Sequence, residues 1–366
     1  MDILSGQGKN KNQNYTPDEL VKLWQDHGSA ILSKLSSKNP EVFDDLFYND
    51  ENPASSKATP SSREEEMASK PQDFHASITS MVETRGASFI DQLFYVHNFS
   101  LMQQYRTINY LLLELFVGGA AGGVMGTALL SVDEQYLGVL VPPFTLLSSA
   151  PQYGLILQFI LLVAMAAGLA AASPGVHVFS EEIEVYWRNA SSGHSPLAYF
   201  LGKTLSTFYR ILLASLHFAS VLYFLGAIVV PFPVLFIIIL GMYFGVYGLC
   251  HTVSMMIKRD SATLLALVLS LFSASFCGYG IHINDAKDWH IYPLWLVQFN
   301  MWGSEAFFSS VLSIYDHVYD SDVSNAVFGY TLNRLPTDFI MMFVIGIMWR
   351  VIAYICMISF NREKQR

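Results

Sequence analysis

Residues 176–203, VHVFSEEIEVYWRNASSGHSPLAYFLGK, decide the fold. They are charged and aromatic-rich, yet they sit between residues 155–175 and 211–230, two long apolar runs. Each run is long enough to cross a bilayer core, which takes about 20 helical residues. The segment carries Glu181, Glu182, Glu184 and Arg188, then a break at Ser191-Ser192-Gly193, then a second helix start at Pro196. Burying that cluster in hydrocarbon costs several kcal/mol, so it belongs in an interface or in water. Glu181, Glu184 and Arg188, at i, i+3 and i+7, are expected on one helical face. Such an elbow at the membrane surface is a shape suited to coupling with a soluble partner.

Composition agrees with a membrane protein. Of 366 residues, 52% are hydrophobic and only 14% charged, unlike a soluble domain of this size. A net charge of −9 and the lack of a basic stripe with interleaved aromatics argue against a nucleic-acid partner. Cys250, Cys277 and Cys356 lie in or beside apolar runs without metal-ligand spacing and read as packing residues. The N-terminus lacks the apolar core of a cleavable signal peptide.

Along the chain, residues 1–86 read as a polar cytoplasmic linker, largely flexible, with helical spacing in 17–36. No G-x-x-x-x-G-K-[ST] loop occurs, so no nucleotide-binding domain is expected within the chain. Residues 89–106 have the spacing of an amphipathic helix, and the domain 87–366 then holds six expected spans. These are 108–130, 155–177, 205–229, 234–257, 262–281 and 339–360. The first is glycine-rich, with Gly119-x-x-x-Gly123 and Gly122-x-x-x-Gly126 as small-residue packing motifs. Basic residues, among them Arg106, Arg188, Lys203, Lys258 and Arg362, collect on one side of these spans, which places both termini in the cytoplasm.

Residues 291–312 are apolar enough to tempt a seventh span, but Pro293, Gln298, Asn300 and Glu305 argue for a re-entrant piece. Trp289, Trp295 and Trp302 are then expected at headgroup level, and Glu305 as a water-exposed or hydrogen-bonded carboxylate. His177 reads as an interfacial histidine. Arg350 is an intramembrane charge that either snorkels or faces the bundle and pairs with a polar group. No nucleophile motif or metal-ligand spacing marks a catalytic site.

The pattern Phe179-x-x-Glu182, Tyr186-Trp187-Arg188, Ser192-Gly193 and Ala198-Tyr199-Phe200-Leu201-Gly202-Lys203 resembles the second intracellular loop of the ABCG (White and pleiotropic-drug-resistance) transporters. The family often has Arg-Glu where this chain has Arg188-Asn189. The resemblance covers about residues 89–363 and implies an all-α integral membrane protein, a six-helix ABCG-type (type II exporter) transmembrane domain. It implies an amphipathic connecting helix at 89–106 and external re-entrant helices. Glu181, Glu182, Glu184 and Arg188 would then form a coupling elbow against a nucleotide-binding domain.

By position, the family's dimer-axis path would fall on Leu162, Ala166, Leu169, Ala170 and Ser173 of span two. Span five would contribute Leu265, Val268, Leu269, Phe272 and Phe276. The implied partners are membrane lipid, a homo- or heterodimer with another half-transporter, and a cassette. No cofactor is expected in this chain; ATP and Mg would act through a cassette elsewhere. The implied function is ATP-driven movement of hydrophobic or lipid-like substrates. A non-transporting membrane subunit that binds or regulates a complete transporter is the alternative.

Overall fold

The computed structural model describes residues 87–132 and 135–360. The expected linker 1–86 and the basic tail after residue 360 lie outside the described residues. Within them, twelve α-helices follow one another and β-structure is limited to two isolated bridges.

Ser88 caps α1 (Phe89–Arg106) by accepting from the Asp91 amide at 3.2 Å. Thr107 separates α1 from α2 (Ile108–Leu130). A long connection leads to α3 (Gly154–Ser180), and the chain bends at Glu181–Glu182 into α4 (Ile183–Ser191). Gly193, in the left-handed region at φ +87°, turns the chain again. Ser195 then caps α5 (Pro196–Gly226), with Pro196 at its first position, where the missing N–H costs nothing.

The chain continues through α6 (Phe232–Met256) and α7 (Arg259–Ala274), the latter extended by a single 3-10 turn, Ser275–Cys277. Four shorter helices follow: α8 (Ile283–Asp288), α9 (Pro293–Leu296), α10 (Phe299–Tyr315) and α11 (Ser321–Phe328). The last is α12 (Leu335–Ser359).

Among the described residues, five helices are long and apolar enough to cross a membrane: α2, α3 with its elbow, α5, α6 and α12. The fifth expected span, 262–281, is the shorter α7, whose helix ends at Ala274. The cause lies far along the sequence. Tyr330 donates its hydroxyl to the Cys277 carbonyl, and a Cβ on Gly278 would stand 2.5 Å from the Tyr330 oxygen. The tyrosine holds the space that further helix would need, and Gly278 turns away at φ +89°. Conversely, α5 starts at Pro196 rather than 205. At 31 residues it is about 46 Å long, well beyond the ~30 Å hydrocarbon core.

The bundle is built around α6, which is buried on all sides and packs against α3, α5, α7, α10 and α12. Glycines set the α2–α5 contact. Gly118, Gly122 and Gly126 form the buried stripe, and a Cβ on Gly122 would stand 2.9 Å from the Phe218 carbonyl oxygen. Gly119 flanks the stripe against His217.

α10 begins at mid-bundle, where Phe299 fills the space beside Gly245 of α6. The chain after it meets the α2–α3 connection, Asp320 N–H donating to Val139 O at 2.7 Å. It therefore enters the bundle part-way and leaves at the end opposite the elbow, the re-entrant course expected for 291–312. Two of the three tryptophans differ from expectation. Trp289 is exposed, but Trp295 and Trp302 are buried, Trp295 edge-on to Phe276 and Trp302 donating to Leu296 O at 2.9 Å. Phe276 takes the Trp295 ring, and the Leu296 carbonyl takes the Trp302 N–H, within the bundle.

Candidate coupling elbow and transport face

The bend between α3 and α4 separates the elbow charges into two kinds. Glu181 closes α3 and lies 3.4 Å from His177, both side chains half exposed, an arrangement of little energetic weight. Glu184 and Arg188 share α4 at i, i+4 and are exposed, and their side chains form no hydrogen bond or ion pair with the described residues. The expected common face of Glu181, Glu184 and Arg188 is thus broken at the bend, because Glu181 belongs to α3.

Glu182 turns inward. Its carboxylate accepts from Lys203 Nζ of α5 and from Gln103 Nε2 of α1, so one side chain fastens the elbow to two other helices. Lys203 is 5% exposed and its ammonium lies 5.8 and 5.7 Å from the ring centroids of Phe179 and Tyr199. Phe179 stacks on Phe200 at 5.3 Å and Tyr186 tilts against Tyr199 at 5.0 Å, closing an aromatic cluster beneath the elbow. A second fastener is the Ser195 amide, which donates to Gln92 Oε1 of α1 at 2.9 Å.

Gly202, just before Lys203, lets α1 and α5 touch. A Cβ there would stand 2.9 Å from the Leu93 carbonyl oxygen. The sequence reading missed Gln103, Gly202 and Lys203 as parts of this node. The available signal was a lone lysine after glycine at the end of an aromatic run.

A small polar cleft of about 100 Å³ runs from Glu182 and Lys203 along α5 to Arg210. There Arg210 donates to Glu114 of α2, whose other carboxylate oxygen accepts from the Tyr247 hydroxyl of α6. This buried pair was also missed. Each partner is a single charge inside an apolar run, and one member accounts for the other. At the opposite end of the bundle, fully buried Glu305 accepts from Arg334, whose Nε lies 3.5 Å from Asp338 Oδ1 and whose Cζ lies 5.0 Å from the Trp302 ring centroid. Glu305 is thus a paired, buried carboxylate. Arg350 faces the bundle and donates to the carbonyls of Phe244 and Gly346.

The expected path residues divide by orientation. α3 and α7 pack side by side, with Gly168 against Ser270, and each leaves a thin exposed stripe. Leu162 and Leu169 on α3 and Val268 and Phe272 on α7 are exposed, while Ser173, Leu265, Leu269 and Phe276 are half-buried. Ala166 and Ala170 turn into the bundle core and do not open on that face. Leu265, Leu269 and Phe272 also line an apolar cavity of about 290 Å³ shared with Trp349 and Thr252.

Comparison with known proteins accords with this architecture. Residues 1–363 match the family model for the ABC-2 type transporter. The chain is 32% identical over 219 residues to ABC-type transporter claG of Penicillium crustosum, covering 60% of this chain and 30% of that protein. It is 23% identical over 270 residues to ABC transporter G family member 28 of Arabidopsis thaliana, covering 72% of this chain and 21% of that protein. White-brown complex homolog protein 30 of the same plant is 21% identical over 263 residues, 71% and 22% of the two chains. The chain therefore spans between about a fifth and a third of the length of these relatives. With the family model matched along nearly its whole length, the chain belongs to the ABC-2 type transporter family, as a membrane domain of the ABCG type.

Proposed function

We propose that this chain is the membrane-spanning part of an ATP-driven ABCG-type transporter that moves hydrophobic or lipid-like molecules. It would work as a homo- or heterodimer and be powered by a nucleotide-binding cassette on a fused segment or a partner chain. ATP and Mg would act in that cassette. The observation that carries this reading is the double attachment of the elbow. Its exposed charges Glu184 and Arg188 offer a docking face, while Glu182 ties the same elbow to α1 and α5.

A push on α4 would then move α3, because only the bend at Glu181–Glu182 separates them. α3 carries the exposed Leu162 and Leu169, and the facing stripe of a second membrane half would close an apolar path over them. We place six crossings in the membrane. α7 contributes about 24 Å and its 3-10 turn about 6 Å, together matching the ~30 Å core. An even number leaves both termini on the cytoplasmic side, with the basic residues near the elbow.

The test is ATP-dependent uptake of a fluorescent lipid analogue into vesicles holding the chain with an active cassette. Uptake lowered at least about tenfold by Leu169→Trp, with ATP hydrolysis retained, is the expected result. Cassette binding without any ATP-dependent uptake would favour a regulatory membrane subunit instead.

A further inference from the structure

Away from the elbow and the α3–α7 face, one charged side chain lacks the partners its chemistry needs. Arg350 is 6% exposed. Its Nη1 donates to Phe244 O and Gly346 O, both at 2.9 Å, and its Cζ lies 3.6 Å from the Phe244 ring centroid. Nε and Nη2 have no hydrogen-bond partner, and no carboxylate pairs with the guanidinium among the described residues. Two carbonyls and a ring supply acceptor density but no counter-charge. An unpaired arginine at such a depth is costly and calls for a counter-charge.

The same side chain forms part of the wall of a groove of about 390 Å³ between α5 and α12. That volume is in the range of about 300–1,000 Å³ typical of small-molecule sites. Apart from Thr204 and Tyr354 the other walls are apolar, including Leu201, Phe208, Ile347 and Val351. One further polar atom belongs to this lining without a partner, the buried hydroxyl of Thr204. Leu201 and Val351, 41% and 51% exposed, form open lips on the outer surface of the bundle. The groove lies toward the elbow end, where α5 begins and α12 finishes.

We propose that this groove binds one anionic phospholipid. One acyl chain lies between α5 and α12, a phosphate oxygen accepts from Arg350, and the Thr204 hydroxyl donates to the same head group. A sterol hydroxyl could accept from one N–H but would leave the guanidinium charge unmatched, whereas a phosphate supplies both acceptor and counter-charge. The long arginine side chain reaches outward and the lipid phosphate is drawn inward, so that the two meet below the headgroup plane. The site is separate from the α3–α7 face and does not depend on the direction or substrate of transport.

The experiment is native mass spectrometry of the full chain released from phosphatidylcholine nanodiscs doped with phosphatidylglycerol. Wild type is expected to retain phosphatidylglycerol over phosphatidylcholine by about tenfold, equivalent to ~1.4 kcal/mol. Arg350→Gln should abolish that preference, and Leu201→Trp, which fills the groove from its exposed lip, should reduce retention of both lipids. Should Arg350→Gln fail to fold, Leu201→Trp decides, because its site is at the surface. Equal retention of the two lipids by wild type, displacement of phosphatidylglycerol by an equimolar sterol, or unchanged retention in Leu201→Trp would overturn the proposal.

Discussion

Lys203 donates its ammonium to Glu182 across the whole elbow, 21 residues away in sequence, and the same carboxylate holds Gln103 of α1. Three helices therefore meet on one carboxylate, at the bend between α3 and α4. Because both charges are largely buried, losing one strands the other in a poorly solvated position. The exposed elbow charges Glu184 and Arg188 have no such internal duty.

The two kinds of charge should respond differently to truncation. Arg188→Ala should leave the thermal stability of the isolated chain within about 0.5 kcal/mol, as for an exposed side chain. In a complex with an active cassette it should weaken coupling, by up to the ~2–5 kcal/mol seen when one member of a buried interfacial pair is removed. Parallel melting curves and vesicle transport rates check this; normal transport would remove Arg188 from the docking face.

The glycine contact between α2 and α5 makes a position-specific prediction. Gly122→Leu should destabilise the bundle by about 1–3 kcal/mol or more, since its first side-chain atom already meets the Phe218 carbonyl at 2.9 Å. Gly123→Leu should be milder, because a Cβ there meets only the Leu225 and Val221 side chains at 3.5 and 3.7 Å. Thermal denaturation in detergent compares the two, and equal losses would contradict the packing described here.

The pair Glu114–Arg210 should behave as a buried salt bridge. Arg210→Leu alone leaves Glu114 with only the Tyr247 hydroxyl and should cost about 3–5 kcal/mol. Pairing it with Glu114→Leu should recover most of that loss, since removing both charges also removes the desolvation penalty. A double-mutant cycle in melting temperature reads the coupling directly. Additive losses would mean that the two groups stand independently.

The elbow was legible because charges between two apolar runs must leave the hydrocarbon, and its break at Ser191-Ser192-Gly193 carries its own turn chemistry. Lys203 was visible as a basic residue marking one membrane side and as the end of the resembling pattern, but its burial depends on rings from Phe179 and Tyr199, brought together only by folding. Glu114 with Arg210 and Glu305 with Arg334 are 96 and 29 residues apart, and which spans adjoin cannot be read from either run alone. The short α7 has a similar origin, because Tyr330 stops it from a distant connection. The family resemblance, not periodicity, pointed to Leu162 and Leu169, which are exposed; their small neighbours Ala166 and Ala170, taken from the same resemblance, pack inward as close-approach residues.

The central claim is that the Glu182–Lys203 contact transmits motion between a docked cassette and α3. Its most direct measurement is ATP-driven transport by a reconstituted complex carrying Glu182→Lys, Lys203→Glu or both. Each single reversal places like charges together in a largely buried site and should cut transport at least about tenfold while the cassette still hydrolyses ATP. The double reversal restores opposite charges across the bend and should regain a substantial part of the rate. Wild-type transport in either single variant, or no recovery in a double variant that folds as well as the singles, would contradict the account.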